Sequence, residues 1–290
     1  MAAFTKLFGK EKKEKPAEYI ASASGQPMLN YAVYHMKPPE KIACAIFSFL
    51  IGALIGLVFY SGIGKDEFGN STAVTYISNT IVAIVCGGVG LYFVPPAWQN
   101  LRLSRRRKEL QLQFRELMDS LASSLGSGKN VMDSFLSAHT DLNVQFAPKS
   151  YIMLEVDNII KGMQNNIPVE ALLKDFGQRS GLGDISDFGS VFDVCYRKGG
   201  NLKEVVRRTY DVISDKMAIT QEIETKVTAN KTEAMVMAVM PIGIVAMLKF
   251  SGSDFGNAFV SPSGLAATTV AVVIFIASIL LARKILHIEV

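Results

Sequence analysis

The sequence predicts an all-α, polytopic membrane protein: four transmembrane helices and a cytoplasmic helical bundle. Three observations predict it. Four apolar runs with no interior charge each approach the length of a bilayer crossing. The segment between the second and third runs repeats its apolar residues at spacings of three and four. Basic residues gather on one side of the runs.

The chain has 290 residues, 49% of them hydrophobic, which leaves room for one or two domains besides the apolar runs. Residues 1–41 form a polar, lysine-rich segment without an early apolar stretch, so no cleaved signal peptide is expected. The first two spans, within 42–94, are Ile42–Tyr60 and Val74–Val94. The other two, within 234–282, are Ala234–Phe250 and Leu265–Ala282, and residues 283–290 form a short tail. A hydrocarbon core needs roughly 20 apolar residues per helix, and four buried helices of this kind flanked by charges are hard to fit in a soluble protein. Lys249 sits at the end of the third run, where a lysine can snorkel.

Orientation follows from charge. The stretches "KPPEK", "RLSRRRK" and "ARK" flank the runs on one side, while "SGIGKDEFGNST" and "SGSDFGNAFVSPSG" share a single lysine. The positive-inside rule then puts both termini and the central segment in the cytoplasm. Arg105, Arg106, Arg107 and Lys108 mark that side and contact anionic headgroups, or alternatively dock an acidic partner. Gly52 and Gly56 form a GxxxG spacing suited to close helix packing, and Pro241 is a kink point.

The central segment, 99–231, reads as successive helices. Its apolar stripes include Leu110, Phe114, Leu117, Met118, Leu121 and Leu125, then Ile152, Val156, Ile159, Ile160 and Met163. Ile185, Phe188, Phe192 and Cys195 form a third stripe, and Leu202, Val205, Val206 and Ile213 a fourth. Asn130 with Asp133, and Asn201 with Glu204, have the spacing of a helix N-cap and its N3 acid. Pro168 suits a first helical position.

Several chemistries fail on spacing. In "SSLGSGKNVMDS" a phosphate loop would need glycine at Ser123 and a hydroxyl residue at Asn130, and no strand precedes it, so a helical corner capped by Asn130 is expected instead. "DFG" occurs at Asp175, Asp187 and Asp254 without the other kinase elements. Cys44, Cys86, Cys195 and the three histidines are scattered, which predicts no metal site and no disulfide. No catalytic residue, cofactor or metal is expected, and a net charge of +4 carried by basic flanks does not imply nucleic acid.

The stretch "LLKDFGQRSGLGDISDFGSVFDVCYRKGGNLKEVVRRTYDVISDKM", preceded by "LMDSLASSLGSGKNVMDSF", resembles the type II secretion system F domain. The closest form is the single-domain platform protein of tight-adherence (Tad) pili, and the likeness covers about Leu101 to Leu248. It rests on Arg179 followed by Asp184, the Gly199-Gly200-Asn201-Leu202 corner, the long charged helix after it and a span containing Pro241. The resemblance implies a non-catalytic protein that couples a hexameric cytoplasmic secretion ATPase to pilin assembly. It also implies an oligomeric assembly in the lipid bilayer with a second platform protein of the same family. By the same resemblance Arg179, Asp184, Arg197, Lys198, Gly199, Gly200, Asn201 and Glu204 are the partner-binding candidates.

Each has a plainer reading. Gly199 and Gly200 serve equally as a helix C-cap followed by an N-cap, and Arg179 with Asp184 as a structural ion pair. A membrane transporter or a signalling protein with a helical bundle and no pilus role is the alternative function, although the runs lack the mid-depth ionisable residues that transport often uses. From Leu202 to Met240 there is no Gly and no Pro, so a continuous helix is expected to enter the third span.

The charge asymmetry makes a topological prediction. Single cysteines placed between Ser61 and Thr72 or between Ser251 and Gly264 of a Cys-free variant should react with an impermeant maleimide on intact cells. Labelling at residues 105–108 instead would invert the orientation.

Overall fold

The computed structural model describes residues 17–61, 63, 72–250, 259 and 261–286. Asp254, most of both predicted outward loops, residues 1–16 and the last four residues lie outside that set.

A short antiparallel hairpin, β1 (Tyr19–Ala21) and β2 (Pro27–Leu29), opens the described chain. Among the described residues every later element is a helix: α1 (Pro38–Tyr60), α2 (Ala73–Gly126), α3 (Val131–Gln145), α4 (Tyr151–Gln164), α5 (Val169–Ser180), α6 (Gly183–Lys198), α7 (Leu202–Phe250) and α8 (Pro262–Leu286). Three of these are long and apolar enough to cross a membrane: α1, α2, and α7 through its Thr232–Lys249 part. The fourth expected span coincides with α8, whose apolar stretch Ser263–Ser278 is shorter.

One helix runs past its expected boundary. The second span was expected to end at Val94, before Pro95 and Pro96, yet α2 continues through both prolines to Gly126. Each proline removes one backbone donor, a loss that the many remaining bonds of a 54-residue helix offset. The continuous helix expected from Leu202 into the third span is present: α7 runs unbroken from Leu202 to Phe250, with Pro241 inside it.

The chain divides into two compact units. The first combines the described residues up to His35 with Leu101–Ser214; the second combines Met36–Asn100 with the residues from Asp215 onward. The first unit thus joins part of the polar N-terminal segment to most of the helical segment 99–231.

The first unit has a conventional dry core. Leu110, Phe114, Leu117, Met118 and Leu121 of α2 are buried, as are Ile152, Val156 and Ile159 of α4, Phe176 of α5, and Phe188 and Phe192 of α6. Phe114 lies at its centre, with its ring 6.1 Å from that of Phe176 and 5.7 Å from that of Phe188. Both partners belong to DFG triplets, and the glycines of those triplets explain the recurrence. A Cβ on Gly177 would lie 2.8 Å from Ser186 Cα, and one on Gly189 would lie 3.0 Å from Leu173 O. Each triplet places its phenylalanine in the core and its glycine at the tight α5–α6 approach.

The helix ends are built locally. Asn130 Oδ1 accepts from Asp133 N at 2.8 Å, capping α3, and Asn201 Oδ1 accepts from Glu204 N at 3.3 Å at the start of α7. Pro168 sits at the N-cap of α5, one position earlier than expected. The start of α4 draws on another helix, since Ile152 N donates to the buried Gln113 Oε1 of α2 at 3.0 Å.

The second unit is organised by glycine. A Cβ on Gly52 would lie 2.5 Å from Cys86 O, one on Gly56 would lie 2.7 Å from Cys86 Cβ, and one on Gly90 would lie 2.5 Å from Ser48 O. The helices α1 and α2 therefore meet backbone to backbone, while most of their large apolar side chains face outward, Phe47 at 65% and Tyr92 at 76% exposure. Lys249 Nζ donates to Phe59 O at 2.8 Å and Ser61 O at 3.1 Å, placing a cation on the free carbonyls at the end of α1.

The α5–α6 approach yields a paired test. Gly177→Ala forces a methyl against backbone and should cost about 1–3 kcal/mol, the usual range for overpacking. Gly183→Ala opens α6 into free space and should be neutral or slightly stabilising. Thermal unfolding of the full-length protein in detergent checks both, and equal midpoints would contradict the close-approach account.

Candidate partner-binding surface

The corner between α6 and α7 is assembled from two local rules. Gly199 ends α6 with φ 68°, a left-handed conformation that favours glycine, and Gly200 N donates to Cys195 O at 2.7 Å. Asn201 then caps α7. Gly199, Gly200 and Asn201 are exposed, as are Arg197 and Lys198 just before them. Arg197 Nε lies 2.6 Å from Asp193 Oδ1 one turn back. The corner is thus a capped turn and an open surface at once.

A groove of about 340 Å³ lies along α6 and α7. Phe188, Val191, Val205, Val212 and Ile213 supply its apolar lining, and Asp184, Asp187 and Glu204 line it with carboxylates, with Arg208 the basic member. Asp184 accepts a hydrogen bond from Gln111 Nε2 at 2.8 Å. Of the eight candidate residues, Asp184 and Glu204 line this groove, and Arg197 to Asn201 form the corner.

Arg179 stands apart, inside the bundle at 4% exposure. Its Nη1 and Nη2 donate to Glu155 Oε1 and Oε2 at 2.8 Å each, and its Nε donates to Asp175 Oδ2 at 2.8 Å. The partners of Arg179 are Glu155 and Asp175, and Asp184 is bonded to Gln111 instead. The network continues into the N-terminal segment. Tyr31 Oη donates to Glu155 Oε1 at 3.0 Å, and Tyr31 N donates to Arg179 O at 2.8 Å. Ser22 Oγ donates to Asp175 Oδ2 at 2.7 Å and accepts from Asn158 Nδ2 at 3.0 Å. Arg179 Nη1 also reaches Leu29 O at 3.3 Å.

Burial dominates the electrostatics of this network. It pushes the Glu155 carboxyl above its ordinary range, opposed by the Arg179 hydrogen bonds and charge. Burial pulls Arg179 down, but Glu155 and Asp175 together hold it above its ordinary value. Tyr31 is raised by burial, and the Glu155 carboxylate adds to the shift.

The basic cluster after the second span is divided in its use. Arg106 Nη2 lies 3.2 Å from Glu18 Oε1, and its guanidinium sits 4.8 Å over the Tyr34 ring. Arg107 donates to Tyr31 O at 3.4 Å and to Ala32 O at 3.2 Å. Arg105 and Lys108 are exposed. Arg106 and Arg107 therefore hold the N-terminal segment, a use that the run of charges did not suggest.

At the former phosphate-loop candidate, α2 rather than a strand leads into the turn. Gly128 has φ 83°, and Lys129 Nζ donates to Ser137 Oγ at 2.6 Å. Among the described residues no cluster of His, Cys, Asp and Glu has the makings of a metal site. No family model, no curated protein and no solved structure matches this chain.

The sequence missed Glu155, Tyr31 and Ser22. Glu155 lies inside an apolar stripe, and a charge on the buried face of a helix is the one signal that could have pointed to it. Removing one partner of a buried ion pair typically costs about 3–5 kcal/mol, because the other charge stays buried and unpaired. Arg179→Met should therefore destabilise strongly, and Arg179→Met with Glu155→Leu should recover much of the loss. Thermal unfolding of the singles and the double decides, and a double no better than the single would remove the ion pair as the source of the cost.

Proposed function

We propose that this chain is a non-catalytic platform protein of the cytoplasmic (inner) membrane. In this reading it spans the bilayer four times with both termini and the bundle in the cytoplasm. It couples a hexameric secretion ATPase to pilin assembly in a Tad or type IV-like pilus, or in a type II secretion-type machine. A second platform protein of the same family works beside it in an oligomeric assembly.

One observation carries the reading beyond the sequence resemblance. The helix α7 begins at the exposed Gly199–Asn201 corner and continues without a break into Thr232–Lys249, which is apolar enough to cross a membrane. An ATPase that engages the corner acts on the first turn of the same helix that reaches the bilayer. Displacement or rotation then needs no flexible joint. The outward-facing apolar side chains of the second unit support a lipid surround for it.

Co-purification of the detergent-solubilised protein with its cognate ATPase tests the platform role, and absence of capture would count against it. The coupling step has its own test. Two glycines inserted after Thr228 weaken the helix by about 1 kcal/mol each and interrupt its register. Pilus assembly should be lost while membrane insertion and ATPase capture persist. Normal piliation would leave the bundle as a passive dock.

A further inference from the structure

A cleft of about 450 Å³ lies between the end of α2 and the first turns of α7, within the first unit. Asp119 and Ser123 line it from α2, and Lys203, Arg207, Tyr210 and Asp211 line it from α7. Its size falls in the range of about 300–1,000 Å³ usual for small-ligand sites. Among the described residues, the side chains of Asp119, Lys203, Arg207, Tyr210 and Asp211 form no hydrogen bond and no ion pair. Elsewhere in the chain, charges one helical turn apart do close. Arg179 meets Asp175 at 2.8 Å, Arg197 meets Asp193 at 2.6 Å and Lys226 meets Glu222 at 2.7 Å. In each of those pairs the acid precedes the base, the favourable order in a helix. Arg207 precedes Asp211, the weaker order, and that pair stays open.

The charges are sorted by sign along the cleft. At one end Lys203 crosses the last residue of α2, since a Cβ on Gly126 would lie 3.5 Å from Lys203 Cε. Asp119 lies seven residues before Gly126, about 10 Å along α2, and Asp211 lies eight residues after Lys203, about 12 Å along α7. The two carboxylates therefore share the far end, and the two cations the near end. The midpoint of Lys203 and Arg207 is about 9 Å from Asp211 along the helix axis. A simple anion would meet two carboxylates here, and a simple cation would meet Lys203 and Arg207. We infer that this cleft binds a small zwitterion with its carboxylate and its guanidinium or ammonium group at opposite ends of an extended chain, as in L-arginine. Lys203 and Arg207 take the carboxylate, Asp119 and Asp211 take the cationic head, and Tyr210 offers that head an aromatic ring. A compact zwitterion such as glycine is too short to reach both ends.

Calorimetry on the full-length protein in detergent tests the site with three probes: L-arginine, agmatine, which lacks the carboxylate, and L-norvaline, which lacks the guanidinium. L-arginine should bind saturably and about tenfold more tightly than either of the others. Arg207→Gln should erase its advantage over agmatine, and Asp119→Asn with Asp211→Asn should erase its advantage over norvaline. All three positions are exposed, so unfolding temperatures without ligand should not move, which separates a lost contact from a lost fold. Absence of saturable L-arginine binding, or an affinity equal to that of agmatine or norvaline, would overturn the zwitterion site. So would arginine binding that survives both sets of substitutions, because it would lie elsewhere. Inorganic phosphate binding more tightly than arginine would also overturn it, because the cleft would then be an anion site. None of these outcomes bears on ATPase capture, so the site stands or falls apart from the platform role.

Discussion

The first unit depends on one buried guanidinium. Arg179 sits where α4, α5 and the N-terminal hairpin converge, and each contributes an acceptor: Glu155, Asp175 and Leu29 O. A charge at 4% exposure is tolerable only if most of its donors are used. Glu155, fully buried, in turn needs Arg179 and Tyr31. The N-terminal segment adds an acceptor for the guanidinium, Leu29 O, and a donor for the carboxylate, Tyr31 Oη, so it is a structural part of the bundle. Buried pairs of this kind are weak sources of net stability but strict about arrangement. Here the arrangement that they enforce is the docking of residues 18–34 on helices more than a hundred positions away in sequence.

The two units solve opposite solvent problems with the same amino acids. In the first, apolar side chains point inward and pack around Phe114. In the second, they point outward, and the helix contacts fall to Gly52, Gly56, Gly87 and Gly90. Where the surround is as apolar as leucine, burying leucine between helices gains little, and close backbone approach gains more. Glycine serves both units, but for different reasons: at Gly177 and Gly189 it lets two water-type helices interlock, and at Gly52 it lets α1 reach a backbone carbonyl of α2.

The surface left over is concentrated on α6 and α7. The corner is closed by bonds that lie within three to five residues, and among the described residues it is exposed. The adjacent groove is acidic where the preceding helix end is basic. The groove carries Asp184, Asp187 and Glu204 with Arg208, beside a helix end that carries Arg197 and Lys198.

The helical class, the apolar stripes and the caps at Asn130 and Asn201 were legible in the sequence, because each depends on residues within a few positions of one another. The same locality made Gly199-Gly200 readable as a helix end. What the local pattern could not supply was any partner distant in the chain. Arg179 was noticed, yet its pairing went to Glu155 and Asp175 because three-dimensional convergence, not sequence proximity, set which carboxylates met it. Arg106 and Arg107 read as membrane-flanking charge until the fold brought Glu18, Tyr31 and Ala32 to them. The DFG triplets looked like a misplaced motif, and only the α5–α6 contact shows why phenylalanine and glycine recur there. Local hydrogen bonding and periodicity are written along the chain. The neutralisation of a buried charge is decided by whichever groups the tertiary structure delivers to it.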